Sequence, residues 1–144
     1  MTLFKNLSVE ENENLLKFPA FLCLLAANSE NNLIDVEKKI DLNFAYTKTF
    51  SFDPLLAKFY KKADKLFPQT IKKLDKDLPN EMNKRDAAIK KELLDLDNVV
   101  LKMGQEYSSL MLKSMQSFKD HVSQAHHNVL VDFIFPIPIA GYTY

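Results

Sequence analysis

Residues 89–111 read IKKELLDLDNVVLKMGQEYSSLM, and their apolar side chains recur at alternating steps of four and three. This spacing keeps one face of an α-helix apolar along its length. The pattern resumes over residues 111–129 with a shift of one position, which is a stutter between two heptad phases. The apolar positions are Ile89, Leu93, Leu96, Val100, Met103, Tyr107 and Leu110, then Met111, Met115, Phe118, Val122, Ala125 and Val129.

The length of this apolar pattern predicts a break. One helix over residues 80–135 would be about 80 Å long at 1.5 Å per residue, which is long for a chain of 144 residues. We therefore expect a break or bend near Asp97-Asn98 or at Gly104. A continuous helix would instead need a partner at its far end.

Upstream of this region, capping residues and prolines predict the helix boundaries. Ser8 and Glu11 have the spacing of a capping box, which predicts a helix to about residue 27 with a kink at Pro19. Asp53-Pro54 has the form of an N-cap followed by an N1 proline, which predicts a helix through residue 67. Pro68 and the next proline at 79 would delimit a short helix over residues 69–78.

Glycine is scarce, since Gly104 and Gly141 are the two glycines of the chain. Phosphate-binding loops and nucleophile elbows need several glycines close together, and tight hairpin turns need positive φ. The composition therefore excludes those enzyme motifs and argues against hairpin-rich sheets. We predict an all-α fold: one helical bundle over residues 1–135, of about five to seven helices with one or two long C-terminal helices, and an extended tail over residues 136–144.

The single cysteine, Cys23, lies in the apolar run FPAFLCLLAA of residues 18–27. One cysteine forms no internal disulfide and no Cys-based zinc site, and in this setting we expect a buried, inert thiol. The run has an acidic upstream flank and is shorter than the ~20 residues that span a bilayer. A cytoplasmic location is the resulting prediction.

Charge is balanced over the whole chain but concentrated locally. Residues 54–91 carry eleven basic side chains against five acidic ones. Such a segment could bind phosphates on an anionic membrane or a nucleic acid. Arg85 is the single arginine, so sequence-specific reading of bases is not expected. The acids lie at helical spacings from the lysines, which favours a solvated face with many ion pairs.

Two groups of side chains are candidate metal or proton-transfer sites. The polar segment 28–37 contains the oxygen donors Glu30, Asp35 and Glu37, which suit a hard divalent cation, although an ordinary polar connector fits the same residues. The second group is formed by the three histidines and one nearby acid, which are His121, His126, His127 and Asp120. Because the other two histidines lie five and six residues after His121, the three imidazole rings cannot share one helix face. An ordinary cluster of surface histidines is the alternative to a metal or proton-transfer site.

The C-terminal segment is apolar and interleaved with Pro136 and Pro138, which favour an extended backbone. It is expected either to fold back over the helices or to bind a partner or a membrane surface. The candidate partner-binding side chains are Phe133, Phe135, Ile137, Ile139, Tyr142 and Tyr144.

Residues 24–28 (LLAAN) and 33–37 (LIDVE) together resemble the first helix–turn–helix of TerB-like tellurite-resistance domains. The chain has Asn28-Ser29 where that family has Asp-Gly. The resemblance covers about 20 residues and implies an all-helical fold, a divalent-metal site through Asp35 and Glu37, and a stress-related scaffold role at the membrane.

Three hypotheses about function follow from the sequence. The first is a non-enzymatic interaction or scaffold domain that binds a protein partner or a second copy of itself. The second is a divalent-metal-binding protein or metal sensor that uses the 28–37 segment, in which case the metal is the one candidate cofactor. The third is a peripheral protein that binds anionic membranes through the lysine-rich middle of the chain and the aromatic C-terminal tail. No serine or threonine stands in a motif with a histidine, so the sequence favours a protein without enzymatic activity.

Overall fold

The computed structural model describes residues 4–29 and 53–125, and these residues are helical, without any strand. They form five α-helices and one 3₁₀ turn: α1 (Val9–Leu15), α2 (Phe18–Ser29), the 3₁₀ turn (Pro54–Leu56), α3 (Ala57–Asp77), α4 (Met82–Leu101) and α5 (Gln105–Ala125). The all-α prediction is confirmed. The helix count of the whole chain stays a prediction, and the tail over residues 136–144 lies outside the described residues.

Helix α2 lies at the centre of the bundle. Every residue from Phe18 to Ala26 is buried, and α2 packs against α3, α4 and α5. A helix that is hydrophobic all round is stable only when other elements surround it. Cys23 lies in this buried run, so the prediction of a buried cysteine is confirmed, and burial raises the pKa of its thiol, which disfavours the reactive thiolate.

The first boundary differs from its prediction. The Ser8–Glu11 capping box is confirmed, with 3.0 Å between the atoms of each of its two hydrogen bonds. The single kinked helix is wrong, because α1 ends at Leu15 and α2 begins at Phe18. Pro19 therefore lies in the first turn of a new helix, where its missing N–H breaks no intrahelical hydrogen bond.

Pro68 does not end a helix. Asp53 caps the 3₁₀ turn through an acceptor oxygen 2.9 Å from the Leu55 nitrogen, so the N-cap is confirmed, but α3 then runs through Pro68 to residue 77. The separate short helix over residues 69–78 is a wrong prediction. Phe67 and Ile71 are buried on either side of the proline. We attribute the continuity of α3 to this packing, which offsets a proline cost of about 3 kcal/mol.

The predicted break occurs at Gly104, which has a φ of 95° and separates α4 from α5. The helix is continuous through Asp97-Asn98. From Ile89 to Val122, where burial is described, the apolar pattern is buried on both sides of the break, with two exceptions: Tyr107 is 37% exposed and Leu110 is half-buried. Both follow the break at Gly104, so the apolar face that the spacing predicts is only partly buried at the start of α5.

Gly104→Ala is expected to lower the free energy of unfolding by about 1–2 kcal/mol, because an L-residue at this φ is strained. The added Cβ would also lie 3.3 Å from the Asn6 amide nitrogen. Urea unfolding measures the effect. The control is Gln105→Ala at the exposed start of α5, which should change stability by less than about 0.5 kcal/mol. An unchanged midpoint for Gly104→Ala would contradict the strained turn.

Candidate functional site

One face of α3 carries lysine almost without interruption. At 100° per residue, a sector of about 120° contains eight of the positions from 58 to 76. Seven of these are lysine and the eighth is Gln69. The lysines are Lys58, Lys61, Lys62, Lys65, Lys72, Lys73 and Lys76, and we call this sector the lysine face.

The lysine face is exposed and its charge is not neutralised locally. Six of its lysines are exposed and Lys62 is half-exposed, along a helix length of about 27 Å. None of them forms an ion pair with another residue in the two described ranges. The three acids of α3 (Asp64, Asp75 and Asp77) lie outside the sector, and Asp75 is paired with Arg85 at 3.0 Å. The predicted network of ion pairs is therefore wrong for α3, although Lys90 and Asp86 on α4 do form an i,i+4 pair.

The aromatic residues of α3 face the core and not the lysines. Phe59, Tyr60 and Phe67 are each no more than 2% exposed. The Tyr60 hydroxyl shares a hydrogen bond with the Ser114 hydroxyl of α5, and burial raises the pKa of the tyrosine. These rings are therefore not available to stack on the bases of a single-stranded nucleic acid.

A cleft of about 610 Å³ opens at the N-terminal end of the lysine face. Three parts of the chain that are distant in sequence form it: residues 4–6, the start of α3 with the preceding 3₁₀ turn, and the α4–α5 turn with the start of α5. Its lining, which we call the aromatic cleft, consists of Phe4, Lys5, Asn6, Pro54, Leu55, Lys58, Phe59, Met103 and Tyr107. Lys5 and Lys58 supply its charge, and there is no carboxylate in this lining.

Aromatic packing builds one wall of the cleft. The Phe4 ring lies 6.1 Å from the ring centroid of Phe59 and 5.8 Å from that of Tyr107. The Phe4 backbone is held by the buried Asn12 side chain, which accepts from the Phe4 nitrogen at 3.0 Å and donates to its carbonyl oxygen at 3.2 Å. Asn12 also donates to the carbonyl oxygens of Leu7 and Ser8, so one α1 side chain fixes the segment before α1.

One further contact holds this N-terminal segment against the α4–α5 turn, and another holds α1 against it. The Asn6 amide donates to the Met103 carbonyl oxygen at 3.2 Å, and the Lys102 ammonium lies 2.7 Å from a Glu11 carboxylate oxygen. The Lys102 hydrogen bond and the Ser8 backbone amide lower the pKa of Glu11. The walls of the cleft are thus joined by hydrogen bonds that need no ligand.

A second unusual group lies inside the bundle. Asp97 of α4 is 3% exposed, and neither of its carboxylate oxygens has a hydrogen-bond partner within the described part of the chain. Burial raises its pKa to about 7. The sequence contains a signal for this position, since Asp97 lies four residues after Leu93 and three before Val100, on the apolar face of the helix.

The structure describes few of the predicted metal and partner residues. His121 is half-buried on α5, and Asp120 is exposed, with an oxygen 3.5 Å from the Lys119 ammonium. Among the described residues there is no group of three or more His, Cys, Asp or Glu side chains that could hold a metal ion. The remaining candidates lie outside the described residues, and their roles stay predictions: Glu30, Asp35, Glu37, His126, His127, Phe133, Phe135, Ile137, Ile139, Tyr142 and Tyr144.

Comparison with known proteins identifies no relative. No protein-family model matches the chain, and neither a curated protein nor a solved structure shows significant similarity to it. The resemblance to TerB-like domains therefore stays a prediction. No helix in the described ranges has both the length and the apolar character to span a bilayer.

Proposed function

We propose that this protein is a non-enzymatic helical domain that binds anionic membrane surfaces through the lysine face of α3. The single observation that carries the proposal is the row of seven lysines, interrupted only by Gln69, without an acid on the same face or an ion pair to any described residue. At an anionic bilayer each such lysine contributes about 1 kcal/mol of attraction. Several lysines that contact the surface together are therefore enough for stable, salt-sensitive binding.

The chemistry of this face favours a lipid surface over a nucleic acid. A row of lysines supplies point charges without the planar fork of arginine that reads base edges. The aromatic side chains of α3 that could stack on bases are buried. Leu55, which lines the same cleft as Lys58, is 59% exposed and suits the boundary between headgroups and acyl chains.

Vesicle flotation tests this function. The protein should float with phosphatidylserine-containing vesicles at low salt, but not at high salt or with phosphatidylcholine alone, because salt screens exposed charges. Lys65→Gln/Lys72→Gln should weaken this binding about 30-fold, since it removes two of the lysine contacts. The matched control is Lys84→Gln/Lys91→Gln on α4, which removes the same charge from two exposed lysines outside the lysine face and should retain nearly full binding.

Two results would contradict the proposal. Equal weakening by the two double variants would show that only net charge matters and that the lysine face has no special role. Tighter binding to a DNA duplex than to phosphatidylserine vesicles at the same salt would assign the face to the phosphate backbone of a nucleic acid.

A further inference from the structure

The aromatic cleft is continuous with the lysine face. Lys58 belongs to both, and Leu55, which also lines the cleft, is exposed. If α3 lies along a membrane, the mouth of the cleft is therefore at the level of the headgroups. A cleft on the opposite side of the bundle would not reach the headgroups in this orientation.

The lining of the cleft has two kinds of surface. Phe4, Leu55 and Tyr107 offer apolar and aromatic area, whereas Lys5 and Lys58 offer positive charge. Neither lysine has an ion-pair partner among the residues that the structure describes. A ligand that complements both surfaces has an anionic head and an apolar chain. The volume of about 610 Å³ is in the usual range for small-molecule sites.

The cleft is also preformed. The Asn12 hydrogen bonds to Phe4, the Asn6 bond to Met103 and the buried Phe59 fix its walls independently of any ligand. A preformed site loses little conformational entropy when a ligand binds. The exposed lysines are the parts of the lining that must become ordered.

We propose that the aromatic cleft binds one anionic lipid molecule of the surface that the lysine face contacts. Its headgroup phosphate would lie between Lys5 and Lys58, and the first part of its acyl chain would lie on Phe4, Leu55 and Tyr107. This proposal rests on the proposed function, because the lysine face brings the cleft to the bilayer. It adds a saturable site of defined stoichiometry to a surface that otherwise recognises charge alone.

The test is a titration of the full chain with dihexanoyl phosphatidate below its critical micelle concentration, followed in ¹H–¹⁵N correlation spectra. Saturable shifts are expected at the amides of Lys5, Asn6, Met103 and Tyr107, with one lipid bound per chain. Inorganic phosphate and dihexanoyl phosphatidylcholine should bind at least about tenfold more weakly. Inorganic phosphate lacks the acyl chains, and phosphatidylcholine lacks the net negative charge. Equal affinity for inorganic phosphate, or shifts that map away from the cleft, would overturn the proposal.

Two variants separate this site from the lysine face. Lys5→Gln/Leu55→Ser changes exposed side chains of the cleft and should weaken phosphatidate binding at least about tenfold while vesicle flotation persists. Lys65→Gln/Lys72→Gln should weaken vesicle flotation while phosphatidate binding in the cleft persists. If phosphatidate does not bind in the cleft but flotation still depends on Lys65 and Lys72, the lipid site is wrong and the proposed function stands. If flotation fails while the cleft titration saturates, the proposed function is wrong.

Discussion

Phe18→Ala is expected to lower the free energy of unfolding by about 3–5 kcal/mol, the usual cost of removing a large aromatic side chain from a packed core. Phe18 is completely buried at the start of α2. Its ring centroid lies 5.9 Å from that of Phe59, 6.2 Å from that of Tyr60 and 5.5 Å from that of Phe118. One ring thus contacts both α3 and α5, so its loss leaves a cavity where three helices meet.

Urea unfolding monitored by circular dichroism measures this effect. The graded control is Phe18→Leu, which keeps much of the apolar volume and should cost no more than about 2 kcal/mol. Tyr107→Ala, at a ring that is 37% exposed, should cost less than about 1 kcal/mol. If Phe18→Ala costs no more than Tyr107→Ala, the aromatic cluster is not the centre of the core.

Apolar periodicity predicts the helices and their buried faces because the spacing of apolar residues within one helix decides which face of that helix is apolar. Leu93, Val100 and Met111 are buried as their spacing predicts. Gly104 marks the break because a positive φ is a local requirement that glycine meets without strain. The fold class and this boundary can therefore be read from the sequence.

Proline positions were less informative because their effect depends on tertiary packing. Pro19 lies in the first turn of a helix, whereas Pro68 lies inside one. The same residue type begins a helix in one case and is tolerated within a helix in the other. What differs at Pro68 is the buried apolar face, with Phe67 and Ile71, that continues on both sides of it.

The two parts of the candidate site differ in how far the sequence predicts them. The lysine face follows from helical spacing once α3 is known to continue through Pro68, but two shorter helices would have divided it. The aromatic cleft joins Asn6 to Met103, which are 97 residues apart, and this pairing depends on how the helices pack. Spacing along the chain contains no information on such a contact.

Asp97 makes the stability of the protein depend on pH in a predictable direction. Its pKa is about 7 in the folded protein because burial disfavours the carboxylate, against an ordinary value of 3.8. The protonated form is therefore favoured in the folded state. The stability that the protonated Asp97 side chain contributes is fully present below a pH of 3.8 and is lost as the pH rises to about 7. The full difference of about three pH units corresponds to about 4 kcal/mol.

Asp97→Asn removes this titration and should stabilise the protein increasingly as the pH rises. Relative to the wild type, the free energy of unfolding of the variant should increase by about 2–3 kcal/mol between a pH of about 5 and a pH of about 8, since most of the Asp97 titration falls in that interval. Urea unfolding at the two pH values gives this double difference, in which contributions from the histidines and other unchanged groups cancel. Asp95→Asn, an exposed position on the same helix, is the matched control and should show no such increase. A double difference near zero for Asp97→Asn would mean that Asp97 is ionised in the folded state and has a partner that stabilises its charge.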